Sequence, residues 1–154
     1  MAAERPTMRR SLLLVFALTL LLPGKAETAA EPFSIKLERE GCLGPCPGYT
    51  ITIHEDGRVE YEGLYYVKVV GARKTAVSPV ALQKLIRKLQ KEHVLEWEEK
   101  DYICLDYSQV KISLTLNGKS KHLIEGCEKP GKVLELAKEI DRFTGSKRWV
   151  GHVR

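Results

Sequence analysis

Four cysteines carry the most reactive chemistry in this 154-residue chain, and two of them share the segment Cys42-Leu43-Gly44-Pro45-Cys46-Pro47. A thiol pair at this spacing can form a disulfide, exchange disulfides with other thiols or capture a soft metal ion. Gly44 and the flanking prolines force a turn, which can bring the two Cα atoms into the roughly 4.4–6.8 Å that a disulfide requires. Cys104 and Cys127 flank the dipeptide Asn117-Gly118, so a hairpin turning there brings them together as well. Of the three connectivities open to four cysteines, the favoured one joins Cys42 to Cys46 and Cys104 to Cys127. Chain entropy assigns about 2 kcal/mol to the smaller ring and about 3.5 kcal/mol to the larger.

The sharper alternative is redox or copper handling by Cys42 and Cys46. The Cys-x-x-x-Cys-Pro spacing resembles, over six residues, the metal-binding loop of exported copper-delivery proteins with a thioredoxin fold. There the loop opens a helix, whereas here a strand pattern follows. The distant histidine such a site needs would come from His54, His93, His122 or His152, none of which a motif places. A four-cysteine zinc site is disfavoured because Cys104 and Cys127 do not have zinc-knuckle spacing. The expectation is therefore a structural staple with no metal and no cofactor.

Other clusters read as surface. Glu96, Glu98, Glu99 and Asp101 lack calcium-loop spacing. Asp101, Asp106 and the histidines could supply acid and base groups, but nothing marks a pair as buried. Nucleophile-elbow, zincin, phosphate-loop and dinucleotide signatures do not occur, so no catalytic residues are expected and the protein reads as a non-enzyme.

The elements that hold the cysteine loop follow from periodicity. Ser34 to Arg39 alternates, with Ile35 and Leu37 on one face, and Tyr49 to Ile53 does the same with Tyr49, Ile51 and Ile53. Glu55-Asp56-Gly57-Arg58 is a tight turn that returns the chain antiparallel through Val59 to Tyr61. Tyr65 to Val70, bounded by Gly63 and Gly71, reads as a fourth strand. Ser78-Pro79 opens a helix, with Leu82, Leu85, Ile86 and Leu89 on one stripe and Lys84, Arg87, Lys88 and Lys91 opposite. That basic face is better read as solvated than as a partner surface. Val94 to Asp101 is acidic and ambiguous, with Trp97 tucked against the core. Val110 to Leu116 and Lys119 to Glu125 alternate around Asn117-Gly118, which favours a type I′ hairpin. Val133, Leu136, Ala137, Ile140 and Phe143 form a second amphipathic helix, ended by Gly145. The fold class expected is α+β: one domain, an antiparallel sheet of about six strands, and two amphipathic helices packed on one face.

The N-terminus places this domain. Arg5, Arg9 and Arg10 precede an apolar run from Leu12 to Leu22, about half the roughly 20 residues a spanning helix needs. Residues 1–26 are expected to be a signal peptide cleaved after Ala26, or alternatively after Ala30, leaving a single globular domain over residues 31–150. Of 25 basic and 20 acidic residues, the leader removes four (Arg5, Arg9, Arg10, Lys25) and one (Glu4), so the mature net charge falls from +5 to +2. Near neutrality and few aromatics argue against nucleic acid as a partner. A monomer with no membrane span after cleavage, periplasmic or secreted, is the expectation.

The matching residues Arg39, Gly41-Cys42-x-Gly44-x-Cys46-Pro47-x-Tyr49, Asp56-Gly57, Tyr61-x-Gly63, Gly71, Asn117-Gly118-Lys119, Ile140-Asp141 and Trp149 give the segment from Ile35 to Trp149 a resemblance to a family of bacterial exported domains, domain-of-unknown-function family 6438. The resemblance implies a small α+β domain and brings no catalytic residues. The residues themselves point to a binding module that presents a loop of Cys42, Gly44, Cys46, Pro47 and Tyr49 to an envelope protein or small ligand. A stapled loop loses little conformational freedom on binding, which suits recognition.

Overall fold

The structure is a computed structural model that describes residues 33–98, 107–126 and 131–151. Six strands, β1 (Phe33–Arg39), β2 (Gly48–His54), β3 (Arg58–Tyr65), β4 (Gly71–Ala76), β5 (Val110–Leu116) and β6 (Lys119–Glu125), form one sheet in the order β4-β3-β2-β1-β5-β6. Every pairing is antiparallel. Side chains alternate across a strand, so register decides what each face carries. Ile35 lies between Ile53 and Leu114, and Leu37 between Ile51 and Ile112, which places an unbroken aliphatic band on one face. Thr50, Glu38 and Lys111 occupy a row of the other, polar face.

Helices α1 (Pro79–Lys91) and α2 (Lys132–Thr144) both cover the aliphatic face. Leu82, Leu85 and Leu89 of α1, and Val133, Leu136, Ala137 and Ile140 of α2, join Ile35, Leu37, Ile51, Ile53 and Leu114 in one buried core. Each fully buried Leu or Ile contributes roughly 1.5–3 kcal/mol relative to an exposed one. The amphipathic spacing in both helices therefore fixes which side meets the sheet. Ser78 caps α1, its Oγ accepting the Ala81 N–H at 3.2 Å, with Pro79 in the first turn. Helix α2 has no such cap of its own. The Glu125 carboxylate, at the end of β6, accepts from the amides of Gly131, Val133 (3.0 Å) and Leu134 (3.3 Å). Among the described residues no helix is long and apolar enough to cross a membrane.

One strand lies elsewhere than its composition suggests. Tyr65 to Val70 is not a fourth strand: β3 runs on to Tyr65, and β4 begins only at Gly71. Between them the backbone amides of Lys68 and Val69 donate to the carbonyls of Val150 and Trp149, at 3.0 and 2.9 Å. These amides are spent on a short C-terminal helix, α3 (Lys147–Val150), which has no strong periodic signal. Tyr66, at φ 51°, begins the turn, and Gly63 admits the Val69 carbonyl where any Cβ would lie 2.0 Å from it. The Asn117-Gly118 hairpin has positive φ at both positions, 51° and 72°, as a type I′ turn requires. Trp97 packs against the core from beyond the 3-10 turn at Val94–Glu96.

Candidate functional site

The cysteine loop is the connection between β1 and β2. These strands are antiparallel, and the last rung before the loop pairs Arg39 with Tyr49. Cys42 and Cys46 are joined by a disulfide, with Cα atoms 5.6 Å apart. Inside the ring the Cys46 amide donates to the Gly44 carbonyl at 2.8 Å, and the Gly44 amide donates to Cys42 Sγ at 3.2 Å. Leu43 stands at the tip and is 84% exposed.

Contacts from two sides hold the stem. On one side Glu40 donates its amide to the Gln109 carbonyl at 2.9 Å and accepts the Ser108 hydroxyl on its own carbonyl at 2.9 Å. The Lys111 ammonium reaches the Glu40 carboxylate at 2.5 Å. On the other side Tyr65 accepts the Gly41 amide on its phenolic oxygen at 2.8 Å. Its ring lies so close to the backbone of Gly48 that a Cβ there would fall 2.4 Å from it. Glycine at position 48 is thus a packing requirement of the loop.

A polar clamp closes the base. Asp141, on α2, accepts from Arg39 Nε and Nη2 on one oxygen at 3.1 and 2.8 Å. Its other oxygen accepts the Tyr49 hydroxyl at 2.8 Å and the Ser146 hydroxyl at 2.6 Å. A carboxylate offers about four lone-pair sites, so this one is saturated. Burial pushes the Arg39 guanidinium down, but the neighbouring Tyr49 and Asp141 outweigh it and hold the group above its ordinary value. Burial pushes the Tyr49 phenol far up; Asp141 adds to that and Arg39 opposes it. Tyr49 therefore stays protonated and donating at neutral pH. Behind it, the Tyr61 ring lies 5.8 Å from that of Tyr49 and 5.0 Å from that of Trp149.

The chemistry available to this cluster is positioning. A saturated carboxylate beside a tightly held phenol and a paired guanidinium has no acceptor left for a substrate proton. Of the loop residues expected from sequence, Cys42, Gly44, Cys46 and Pro47 lie together on the loop, whereas Tyr49 is 3% exposed and roots the loop instead of decorating it. Cys104, Cys127, His152, Glu99, Asp101 and Asp106 lie outside the described residues. His54 sits at the far end of β2, about 20 Å along the strand from the loop by the usual rise per residue. His122 bonds Ser113 on the polar sheet face at 3.0 Å, and His93 pairs with Glu96 beyond α1. None of these three is brought to the cysteines. The partnership of Arg39 with Asp141 spans 102 positions and has no local signal.

A protein-family model described as "Domain of unknown function (DUF6438)" matches residues 33–144. No curated protein and no solved structure matches the chain.

Proposed function

The chain belongs to this family of unknown function, and from that premise we propose that it is an exported, non-enzymatic binding module presenting the Cys42–Cys46 loop to an envelope protein or small ligand. The observation that carries the reading is a large apolar side chain, Leu43, held 84% exposed at the tip of a ring whose stem is fixed by Tyr65, Gln109 and the Asp141 clamp. Ordering costs of roughly 0.5–1.5 kcal/mol per immobilised side chain oppose binding, and a pre-fixed loop avoids part of them. Tyr65 and Tyr66, 41% and 58% exposed, add aromatic surface on the adjoining β3–β4 connection. Aromatic anchors of this kind dominate interface energetics. The basic, apolar N-terminal segment supports export to the periplasm or beyond.

Capture from an envelope extract tests this with the unaltered protein, the Cys42→Ser/Cys46→Ser double variant and Leu43→Glu. Partners retained by the unaltered protein should be lost from both variants. Identical partners on all three, or none on any, would count against the loop.

A second reading, thiol-disulfide or copper handling by the same pair, draws on one contact. The Gly44 amide that donates to Cys42 Sγ would stabilise negative charge on that sulfur after reduction. Reduced protein that fails to bind Cu(I) and whose thiols react no faster than a free cysteine would dispose of it.

A further inference from the structure

We propose a second binding site, for a small organic anion, in the cleft between α2, α3 and Tyr49. It is separate from the exposed face of the cysteine loop and does not depend on the loop's role. The cleft is open to solvent and has a volume of about 740 Å³, within the range of small-molecule sites. Val150 supplies an apolar wall, the nearly buried Tyr49 lies at the base, and charged side chains of α2 and α3 surround the mouth.

Charge decides what fits. Two carboxylates line the cleft, Asp141 and Glu135, and both are engaged. Asp141 is saturated by Arg39, Tyr49 and Ser146. Glu135 pairs with Lys138 at 2.8 Å. Two further cations, Arg142 and Lys147, also line the cleft. Neither lies within ion-pair distance of a carboxylate among the described residues; Arg142 donates Nε to the Lys138 carbonyl at 3.4 Å and, from farther off, adds to the pull of Lys138 that holds the Glu135 carboxyl below its ordinary value. The mouth is left with a guanidinium and an ammonium beside an apolar wall.

A guanidinium offers a planar fork that matches a carboxylate or a phosphate bidentately, and an ammonium adds a point charge. The occupant is thus a small molecule with a carboxylate or phosphate-ester head and an apolar body lying against Val150. The clamp on Asp141 keeps the floor in place before the ligand arrives. That same clamp leaves Asp141 no lone pair with which to take a proton from the ligand.

Titration of benzoate, phenyl phosphate and benzylammonium into isotope-labelled protein, followed by amide NMR shifts, tests the site. Saturable shifts of Tyr49 and residues 145–151 are expected with at least one anion, and the tighter one identifies the head group. Benzylammonium should leave these signals in place, and Arg142→Gln/Lys147→Gln should weaken anion binding about tenfold or more. Leu43→Glu should bind the anion as the unaltered protein does, which separates this site from the loop. The proposal is overturned if neither anion saturates, if benzylammonium acts equally, or if the double variant, with an otherwise unchanged spectrum, binds as tightly.

Discussion

Asp141 gathers two strands and a helix through four hydrogen bonds, and its consequences can be worked out one side chain at a time. Arg39 and Asp141 are only 14% and 19% exposed, so removing one charge strands the other in poor solvent. Asp141→Asn should cost about 2–3 kcal/mol, less than a fully buried pair because some water reaches it. Urea unfolding measures this, and an unchanged midpoint would show that the clamp holds nothing. Tyr49 gives a pH signature. Its phenol is raised by burial first and by Asp141 second, so the folded state holds the proton more tightly than the unfolded chain does. Stability is therefore fully present below about pH 10 and declines as pH rises beyond it. Tyr61 is raised too, burial being the larger cause, so Tyr49→Phe should shrink the alkaline decline and Tyr49→Phe/Tyr61→Phe should shrink it further. Denaturation curves from about pH 8 to about pH 11 would show it; an identical slope in Tyr49→Phe would refute the assignment. At this scale the sequence was least legible. Tyr49 fits the alternation of β2, whereas Arg39 falls on the apolar face of β1 and breaks its pattern; the carboxylate that answers it lies 102 positions away and meets it only once α2 packs back across the end of β1.

At the scale of elements, local chemistry was legible wherever it was self-contained. Ser78-Pro79, Asn117-Gly118 and Gly145 each act through their own backbone, so the α1 start, the β5–β6 turn and the α2 end follow from sequence. Where an element borrows its partner from afar, the reading fails. Tyr65 to Val70 has strand-like composition, yet Lys68 and Val69 give their amides to α3, which lies about eighty positions on. The N-terminus of α2 borrows likewise, since Glu125 of β6 supplies the acceptor for its first amides. Glu125→Ala should cost about 1–2 kcal/mol, the usual worth of a cap, and Glu125→Gln distinctly less. Calorimetric melting compares them, and equal melting temperatures for the alanine variant and the unaltered protein would remove the cap from the account. Gly48→Ala should loosen the loop by displacing the Tyr65 ring, seen as faster amide exchange at Gly41. Unchanged exchange there would deny Tyr65 its clamping role.

For the molecule as a whole, the alternation of the strands and the stripes of two helices sufficed to anticipate an α+β domain with one core on one face of an antiparallel sheet. That core includes side chains from five of the six strands and both long helices, and the five-residue ring of Cys42 to Cys46 lies outside it. Removing the bridge should therefore cost only about 2 kcal/mol and leave the fold intact. What it should remove is the fixed presentation of Leu43. The central claim, that the pair is a staple for a presented surface and not a working thiol couple, is tested most directly by a glutathione redox titration, with alkylation and peptide mapping of each cysteine. The account predicts that Cys42 and Cys46 remain joined down to about −300 mV, as structural disulfides do. A midpoint near −200 mV or above would contradict it and make redox or copper chemistry the better description of the loop.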